Sequence, residues 1–178
     1  MNDPQDILVP IDFSDCAMDV VRQASAQAEE SKARIILMHV IQVPEGIDEH
    51  TPIRPDGGET ITAIEHLRRD ANERMPKYID EASRRDVDVE VRIVTGDPVE
   101  AILTASQGVG RIVMGTHARK GLSRLMLGSV ADNVSKRAKV PVEAIPTVYK
   151  DHCGAGSCGW CATHRSPALV QLHVEQDG

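Results

Sequence analysis

The feature that most constrains the fold of this chain is a regular alternation of short apolar segments with amphipathic helical segments. Five apolar segments have the length and β-branched composition of strands, at residues 7–11, 35–41, 87–94, 112–114 and 140–145. Helical periodicity follows the first four of them, at residues 17–28, 61–85, 98–105 and 129–138. This order predicts an α/β fold, an open, doubly wound five-stranded parallel sheet with helices on both faces.

A doubly wound sheet reverses its strand order at one point, and ligands collect there at the carboxyl ends of the strands. We expect the Rossmann-like order 3-2-1-4-5, in which strands one and four are neighbours at the reversal. Asp12 directly follows the first predicted strand and Gly115 directly follows the fourth. These two residues are therefore expected to lie beside one another.

Three segments depart from a simple pattern. Residues 44–58 contain three prolines and three glycines among acidic residues, which predicts a mobile loop. Pro76 lies inside the predicted helix 61–85, where it cannot donate a helical hydrogen bond. Residues 87–94 alternate apolar and charged side chains, which is typical of a half-exposed edge strand.

The loop between the fourth strand and the last helix is the best candidate for a ligand site. Gly128 and Ser129 at the helix start offer unpaired N–H groups, a hydroxyl and the positive end of the helix dipole, which together suit a phosphate. Arg119, Lys120 and Arg124 add cations to a chain whose net charge is −7. That charge argues against general nucleic-acid binding but not against one anion held by backbone N–H groups. The alternative is that Gly128 turns the chain, Ser129 caps the helix and the cations are solvated.

This loop and several other segments resemble the universal stress protein family. Nucleotide-binding members carry Gly-x2-Gly-x9-Gly-Ser/Thr at this point; Gly115, Gly128 and Ser129 match, and Ala118 replaces the second glycine. The resemblance extends to the segments 7–12, 96–98, 112–116 and 140–142. It covers residues 5–147, so we expect a nucleotide-binding domain over residues 1–147 and an extension over residues 148–178.

The resemblance implies that ATP, or the related ADP or AMP, lies across the strand ends. It directs Asp12 and Val40 towards the adenosine and Ser129 and Val130 towards the phosphates. The candidate nucleotide-binding residues are Pro10, Asp12, Val40, Met114, Gly115, His117, Arg119, Gly128, Ser129 and Val130. Asp12 is also a candidate ligand for Mg²⁺ or a ribose hydroxyl, or alternatively a cap of the first helix region.

The resemblance further implies a homodimer, because family members commonly pair through the last strand. Glu143 interrupts that strand here, and its carboxylate either faces solvent or weakens the pairing.

The sequence has no Walker-type motif, no Gly-x-Ser-x-Gly and no His-Glu-x2-His. His117 is a candidate phosphate ligand or acid–base group, against the alternative of an exposed loop histidine. His39 is interpreted as a satisfied, partly buried histidine. We therefore expect a stress-associated regulatory protein rather than a dedicated enzyme, with slow ATP hydrolysis as an alternative.

The last predicted strand is followed by a segment rich in cysteine and histidine. Cys153, Cys158, Cys161 and His164 supply four N/S ligands, enough for a tetrahedral Zn²⁺. The cysteine spacing also resembles an iron–sulfur loop, but the fourth cysteine is missing downstream. The alternatives are a metal- or redox-responsive module and a tail of free thiols.

No apolar run approaches the ~20 residues that span a bilayer, and residues 1–6 lack the basic and apolar parts of a signal peptide. We expect no membrane partner and a cytoplasmic location.

Overall fold

A computed structural model describes residues 3, 5–14, 16–117 and 129–147, without the side chains of Asp56, His117 and Thr147. The strands are β1 (Ile7–Pro10), β2 (Ile35–Ile41), β3 (Pro52–Ile53), β4 (Ile61–Thr62), β5 (Val89–Thr95), β6 (Arg111–His117) and β7 (Val142–Thr147). The α-helices are α1 (Ala17–Ser31), α2 (Ala63–Arg74), α3 (Pro76–Ala82), α4 (Pro98–Ala105) and α5 (Ser129–Arg137).

Five of the strands form one parallel sheet in the order β5-β2-β1-β6-β7. Counted along the chain without the short strands β3 and β4, this is the order 3-2-1-4-5, which confirms the predicted fold class. The strand order reverses between β1 and β6. The carboxyl ends of these two strands therefore form the crevice in which such folds bind ligands.

Helices cover both faces of the sheet, and alternate residues of the strands feed the two cores. Along β1, Ile7 and Val9 pack with α1, α2 and α3, whereas Leu8 packs with α4 and α5. All three side chains are fully buried. This period-two alternation is what a sheet covered on both faces requires.

The predicted helix 61–85 is wrong in its bounds and in its continuity. β3 and β4 form an antiparallel pair first, and α2 then begins at Ala63. Thr62 caps α2 in a capping box with Glu65, in which each side chain bonds the other residue's backbone N–H. Pro76 has no N–H to continue the ladder, so it begins the separate helix α3, which ends at Ala82.

The predicted loop 44–58 is therefore partly ordered. It contains β3 and a short 3₁₀ turn at Pro55–Gly57, and Ile53 packs with Ile61 and Ala63 in a small apolar cluster.

Other boundaries shift by a few residues. α1 extends to Ser31, and its N-cap residue is Cys16, so Asp12 does not cap this helix. Cys16 is buried. β5 lies at the edge of the sheet with Val91 exposed, which agrees with the predicted edge strand.

No helix in the described part of the chain has both the length and the apolarity that crossing a membrane requires.

Candidate functional site

Asp12 lies immediately beyond the carboxyl end of β1, at the point where the sheet reverses its order. Its side chain is half-buried, and its Oδ1 accepts a hydrogen bond from the N–H of Ser14 at 3.0 Å. Pro10, the last residue of β1, is also half-buried. The carboxylate is thus fixed by its own loop, at an edge that remains accessible.

An apolar surface lies at the same end of the sheet, on the face covered by α4 and α5. Met114 of β6 is buried in this core, and Val40 of β2 and Val130 of α5 pack against it while staying partly exposed. Three predicted nucleotide-binding residues from three elements are therefore brought into one cluster. An apolar surface flanked by a carboxylate is a chemically suitable seat for a base and its ribose.

Gly115 does not directly follow the fourth strand, and that prediction was wrong. β6 continues to His117 because β7 pairs with it throughout this stretch, Gly115 opposite Ile145 and His117 opposite Thr147. Thr116 is buried and its hydroxyl donates to the carbonyl of Ile145 at 3.3 Å, which anchors this extension. β1 and β6 are neighbours, as the topology predicted.

The helix α5 begins at Ser129, which is exposed. The carbonyl oxygen of Ser129 accepts a hydrogen bond from the side chain of Asn133 at 2.8 Å. Because α5 follows β6, its amino end lies at the carboxyl edge of the sheet, where its free N–H groups and dipole favour an anion. Arg119 and Gly128 lie outside the described residues.

The loop between β1 and α1 is held by side chains from three other elements. The Nδ1–H of His39 donates to the carbonyl of Ile11 at 2.9 Å, and Nη2 of Arg74 donates to the carbonyl of Phe13 at 3.2 Å. The hydroxyl of Tyr78 donates to the carbonyl of Ser14 at 3.3 Å.

Phe13, at the centre of this loop, is buried and has a φ of +59°, in the left-handed region. For a bulky residue this conformation costs about 1 kcal/mol, so surrounding contacts must hold it. The ring stacks on His39 with centroids 4.0 Å apart, and the guanidinium of Arg74 lies 4.8 Å above it. Tyr78 packs against it at 5.6 Å.

His39 is a satisfied, partly buried histidine, as predicted. Burial lowers its pKa below the ordinary 6.5, and the charge of Arg74 lowers it further, against the hydrogen bond to Ile11 and the charges of Asp12 and Asp70. The neutral ring therefore carries its proton on Nδ1, because the carbonyl of Ile11 can only accept.

Ser14 carries a buried hydroxyl that has no hydrogen-bond partner among the described residues. This oxygen lies in the loop that presents Asp12, and a buried polar group of this kind is uncommon.

The described residues hold no group of three or more His, Cys, Asp or Glu side chains suited to a metal ion. Mg²⁺ usually combines one or two carboxylates with waters and phosphate oxygens, and Asp12 is one of the carboxylates at this edge. The candidate metal ligands Cys153, Cys158, Cys161 and His164 lie outside the described residues.

Comparison with known proteins agrees with this geometry. The family model "Universal stress protein family" matches residues 4–146. Universal stress protein MJ0577 of Methanocaldococcus jannaschii is 31% identical over 76% of this chain and 91% of that protein. The solved structure of MJ0577 superposes with a TM-score of 0.60, covering 82% of this chain and 98% of that one at 28% identity.

Two further structures share the fold. A universal stress protein in complex with cAMP has a TM-score of 0.60 at 23% identity, over 81% of this chain and 98% of that one. A universal stress protein from Archaeoglobus fulgidus in complex with dAMP has a TM-score of 0.57 at 20% identity, over 79% and 97%. An α/β protein with a ligand crevice at its strand reversal is thus the class that the fold defines. The chain belongs to the universal stress protein family.

Sequence reasoning missed the side chains that hold the loop after β1. Arg74 and Tyr78 are 61 and 64 residues away from the carbonyls that they bond. Because each contact depends on how α2 and α3 dock, no local spacing could have indicated it.

Proposed function

We propose that this protein binds an adenine nucleotide, ATP, ADP or AMP, as a regulatory ligand at the carboxyl edge of its sheet. One observation carries the proposal: the strand reversal places the half-buried carboxylate of Asp12 at the same edge as the apolar surface of Val40, Met114 and Val130. The acidic net charge is no obstacle, because the amino end of α5 supplies N–H donors locally.

Two proteins with this fold support the choice of ligand, since one is described in complex with cAMP and the other with dAMP. Both ligands are adenine nucleotides with one phosphate group. They show that this fold can accommodate an adenine nucleotide, while the residues that would hold it here come from this chain's own geometry.

In the proposed complex the adenine packs on Val40 and Met114, and Asp12 accepts hydrogen bonds from the ribose hydroxyls. The phosphates face the first N–H groups of α5 at Ser129 and Val130, a site that suits anions. Pro10, Gly115, His117, Arg119 and Gly128 complete the proposed set. Mg²⁺ bridging the phosphates to Asp12 fits the same arrangement.

The direct test is thermal unfolding of the whole chain with ATP, ADP and AMP. A ligand at 100 times its Kd stabilises the native state by about 2.7 kcal/mol, which raises Tm by several degrees. We expect this shift in the wild type and its loss in Asp12→Ala; Glu59→Ala, an exposed change on the β3–β4 hairpin, is the control. Absence of any shift at millimolar nucleotide would reject the proposal.

We also propose that the protein forms a homodimer through β7. This strand pairs with β6 on one side and is an edge of the described sheet on the other. Glu143 is exposed, and its carboxylate accepts a hydrogen bond from Gln27 at 2.8 Å, so it is held on the side of α1. Sedimentation velocity over a concentration series tests this, and a monomer at every concentration would contradict it.

A second candidate function rests on the sequence spacing Cys153-x4-Cys158-x2-Cys161-x2-His164. Four thiolate and imidazole ligands within twelve residues suit Zn²⁺, and binding would make the extension a metal- or redox-responsive element. Elemental analysis of protein purified without chelators tests this. About one zinc or iron per chain, lost when Cys158 and Cys161 are replaced by Ser, is the expected result, and metal-free protein would reject it.

A further inference from the structure

The loop from Ile11 to Ser14 is shaped by residues far from it in sequence. Three of its carbonyl oxygens, those of Ile11, Phe13 and Ser14, accept hydrogen bonds from side chains of other elements. The donors are, in the same order, His39 of β2, Arg74 of α2 and Tyr78 of α3. A short loop would normally leave such carbonyls to solvent or to its own turn. Here the Ile11 carbonyl is tied to β2 and the Phe13 and Ser14 carbonyls to α2 and α3, while the Ser14 carbonyl also accepts from the N–H of Ala17 at 3.0 Å.

The same side chains hold Phe13 in its left-handed conformation. Its ring is enclosed by His39 and Tyr78 and covered by the guanidinium of Arg74, which also bonds the Phe13 carbonyl. Arg74 is itself oriented by Asp70, one turn earlier on α2, through a contact of 3.2 Å. One guanidinium thus fixes both the backbone and the ring of the strained residue.

Phe13 lies between Asp12 and the residue that Asp12 contacts. The Oδ1 of Asp12 accepts from the N–H of Ser14, so the direction of this carboxylate depends on the backbone at Phe13. If Phe13 relaxed to negative φ, the Ser14 N–H would rotate away and this hydrogen bond would be lost.

We propose that Arg74 and Tyr78 are positioning residues, which hold the β1–α1 loop so that Asp12 is preoriented for the nucleotide ribose. In this proposal neither residue contacts the ligand itself. The inference rests on the proposed nucleotide function for its consequence, but not for its mechanism, which is a property of the ligand-free protein.

The alternative hypothesis is that the same contacts only stabilise the packing of α2 and α3. The two hypotheses predict different effects of small substitutions on nucleotide affinity. Tyr78→Phe keeps the buried ring and removes one hydroxyl. Arg74→Met keeps most of the length of the side chain but removes the guanidinium. If Arg74 and Tyr78 are positioning residues, both variants disturb the orientation of the Asp12 carboxylate and lower nucleotide affinity by more than their loss of stability explains.

The control variants are chosen to match these changes. Arg69→Met makes the same substitution on an exposed residue of the same helix. Val21→Ala removes volume from the core on α1, where Val21 is fully buried, and lowers stability without removing any of the hydrogen bonds that hold the loop. Arg74→Lys retains the charge but not the planar guanidinium, so we expect it to resemble Arg74→Met in Ser14 exchange and in nucleotide affinity.

The experiment has two readouts on the full-length chain. The first is amide hydrogen exchange of Ser14 by NMR without nucleotide, which reports the bond to Asp12 directly. The second is AMP and ATP affinity by calorimetry. We expect Arg74→Met and Tyr78→Phe to accelerate Ser14 exchange and to weaken nucleotide binding by about five- to tenfold. Arg69→Met and Val21→Ala should leave the affinity within about twofold.

Unchanged exchange at Ser14 in both Arg74→Met and Tyr78→Phe would overturn the proposal, whatever the nucleotide data show. Faster exchange with unchanged affinity would also overturn it, because the loop would then be irrelevant to the ligand. If Ser14 exchanges faster in the two variants but the wild type binds no nucleotide, the proposed function is rejected instead. Arg74 and Tyr78 would then only hold the carboxylate of Asp12.

Discussion

The two ends of the central strands use polar residues in opposite ways. At the amino ends, Asp6 before β1 is buried and bonds the guanidinium of Arg34 and the N–H of Asp3. Arg34 also reaches Glu90 at 2.9 Å, and Arg92 meets the same Glu90 at 2.6 Å. These charges satisfy one another across three strands.

At the carboxyl ends of the same strands the polar groups do not satisfy one another in this way. Asp12 is half-buried beside the partly exposed Val40, and the buried hydroxyl of Ser14 has no partner among the described residues. The loop there is strained and held from outside by Arg74. We therefore expect mutations at the amino ends to change mainly stability, and mutations at the carboxyl ends to change mainly the proposed nucleotide binding.

The largest expected effect is on stability, at the amino end. Arg34→Met leaves the buried carboxylate of Asp6 without its main partner. Because Arg34 is about one third exposed, we expect a loss of about 2 kcal/mol rather than the full cost of breaking a fully buried pair. Urea unfolding measures this change. Nucleotide affinity should stay within about twofold, and a parallel loss of affinity would show that the two ends are not separable.

The reverse pattern is expected at the carboxyl end. Asp12→Ala should weaken nucleotide binding about tenfold or more, because it removes the charge-assisted hydrogen bond proposed between Asp12 and the ribose. Its free energy of unfolding without ligand should change by less than about 1 kcal/mol. Calorimetry and urea unfolding on the same preparations measure the two quantities. A large loss of stability with retained affinity would contradict this prediction, because Asp12 would then stabilise the fold and not bind the nucleotide.

The pH dependence of stability separates the two ends as well. Burial lowers the pKa of His39 in the folded protein below its ordinary 6.5, so the neutral form is favoured by folding. Its contribution is fully present above pH 6.5 and is lost as the pH falls towards the folded pKa. His39→Asn keeps an N–H donor but does not titrate. We expect wild-type stability to fall more steeply than that of His39→Asn below pH 6.5, and equal slopes would contradict this.

The pKa of Asp6 shifts in the same direction, but its contribution to stability is lost at lower pH. Burial alone would raise its pKa, but hydrogen bonds from Arg34 and from the Asp3 N–H, with the charge of Arg34, outweigh burial and hold the pKa below 3.8. Its stabilising effect is therefore present above about pH 4 and is lost only below it. Asp6→Asn should remove that low-pH loss without altering the step below pH 6.5 assigned to His39.

The smallest expected effect is at the start of α5. Ser129→Ala removes a hydroxyl but keeps the backbone N–H groups that face the proposed phosphates. We expect a two- to threefold loss of ATP affinity, about 0.5 kcal/mol, and a smaller loss for AMP. A loss as large as that of Asp12→Ala would mean that the hydroxyl, rather than the helix N–H groups, binds the phosphate.

Much of the fold, and the position of Asp12 in the candidate site, could be predicted from the sequence. Periodicity was enough for the five strands of the parallel sheet, because each strand buries faces with its own repeat, but it missed β3, β4 and the division of the second helix at Pro76. The position of Asp12 at the strand reversal followed from topology alone. The capping box at Thr62 and Glu65 was also recognisable, since Thr-x-x-Glu opens an amphipathic helical segment, and it would have placed the start of α2 correctly.

The remainder depends on tertiary contacts that no local pattern encodes. Phe13 has no sequence mark of a left-handed residue, because glycine or asparagine is the usual signal. The length of β6 was underestimated, because its last residues are held by pairing with β7, thirty residues further along. The ion pairs of Arg34 likewise join residues whose neighbourhood is set by the sheet.

The most direct test of the central claim is an NMR titration of the ¹⁵N-labelled protein with AMP and then ATP. The account predicts that the largest amide shifts fall on Asp12, Ser14, Val40, Gly115 and Val130, with ATP extending them into the first turn of α5. Asp6, Arg34 and Glu90 at the opposite end should be unperturbed. Shifts centred on the amino ends of the strands, or no shifts at millimolar nucleotide, would contradict it.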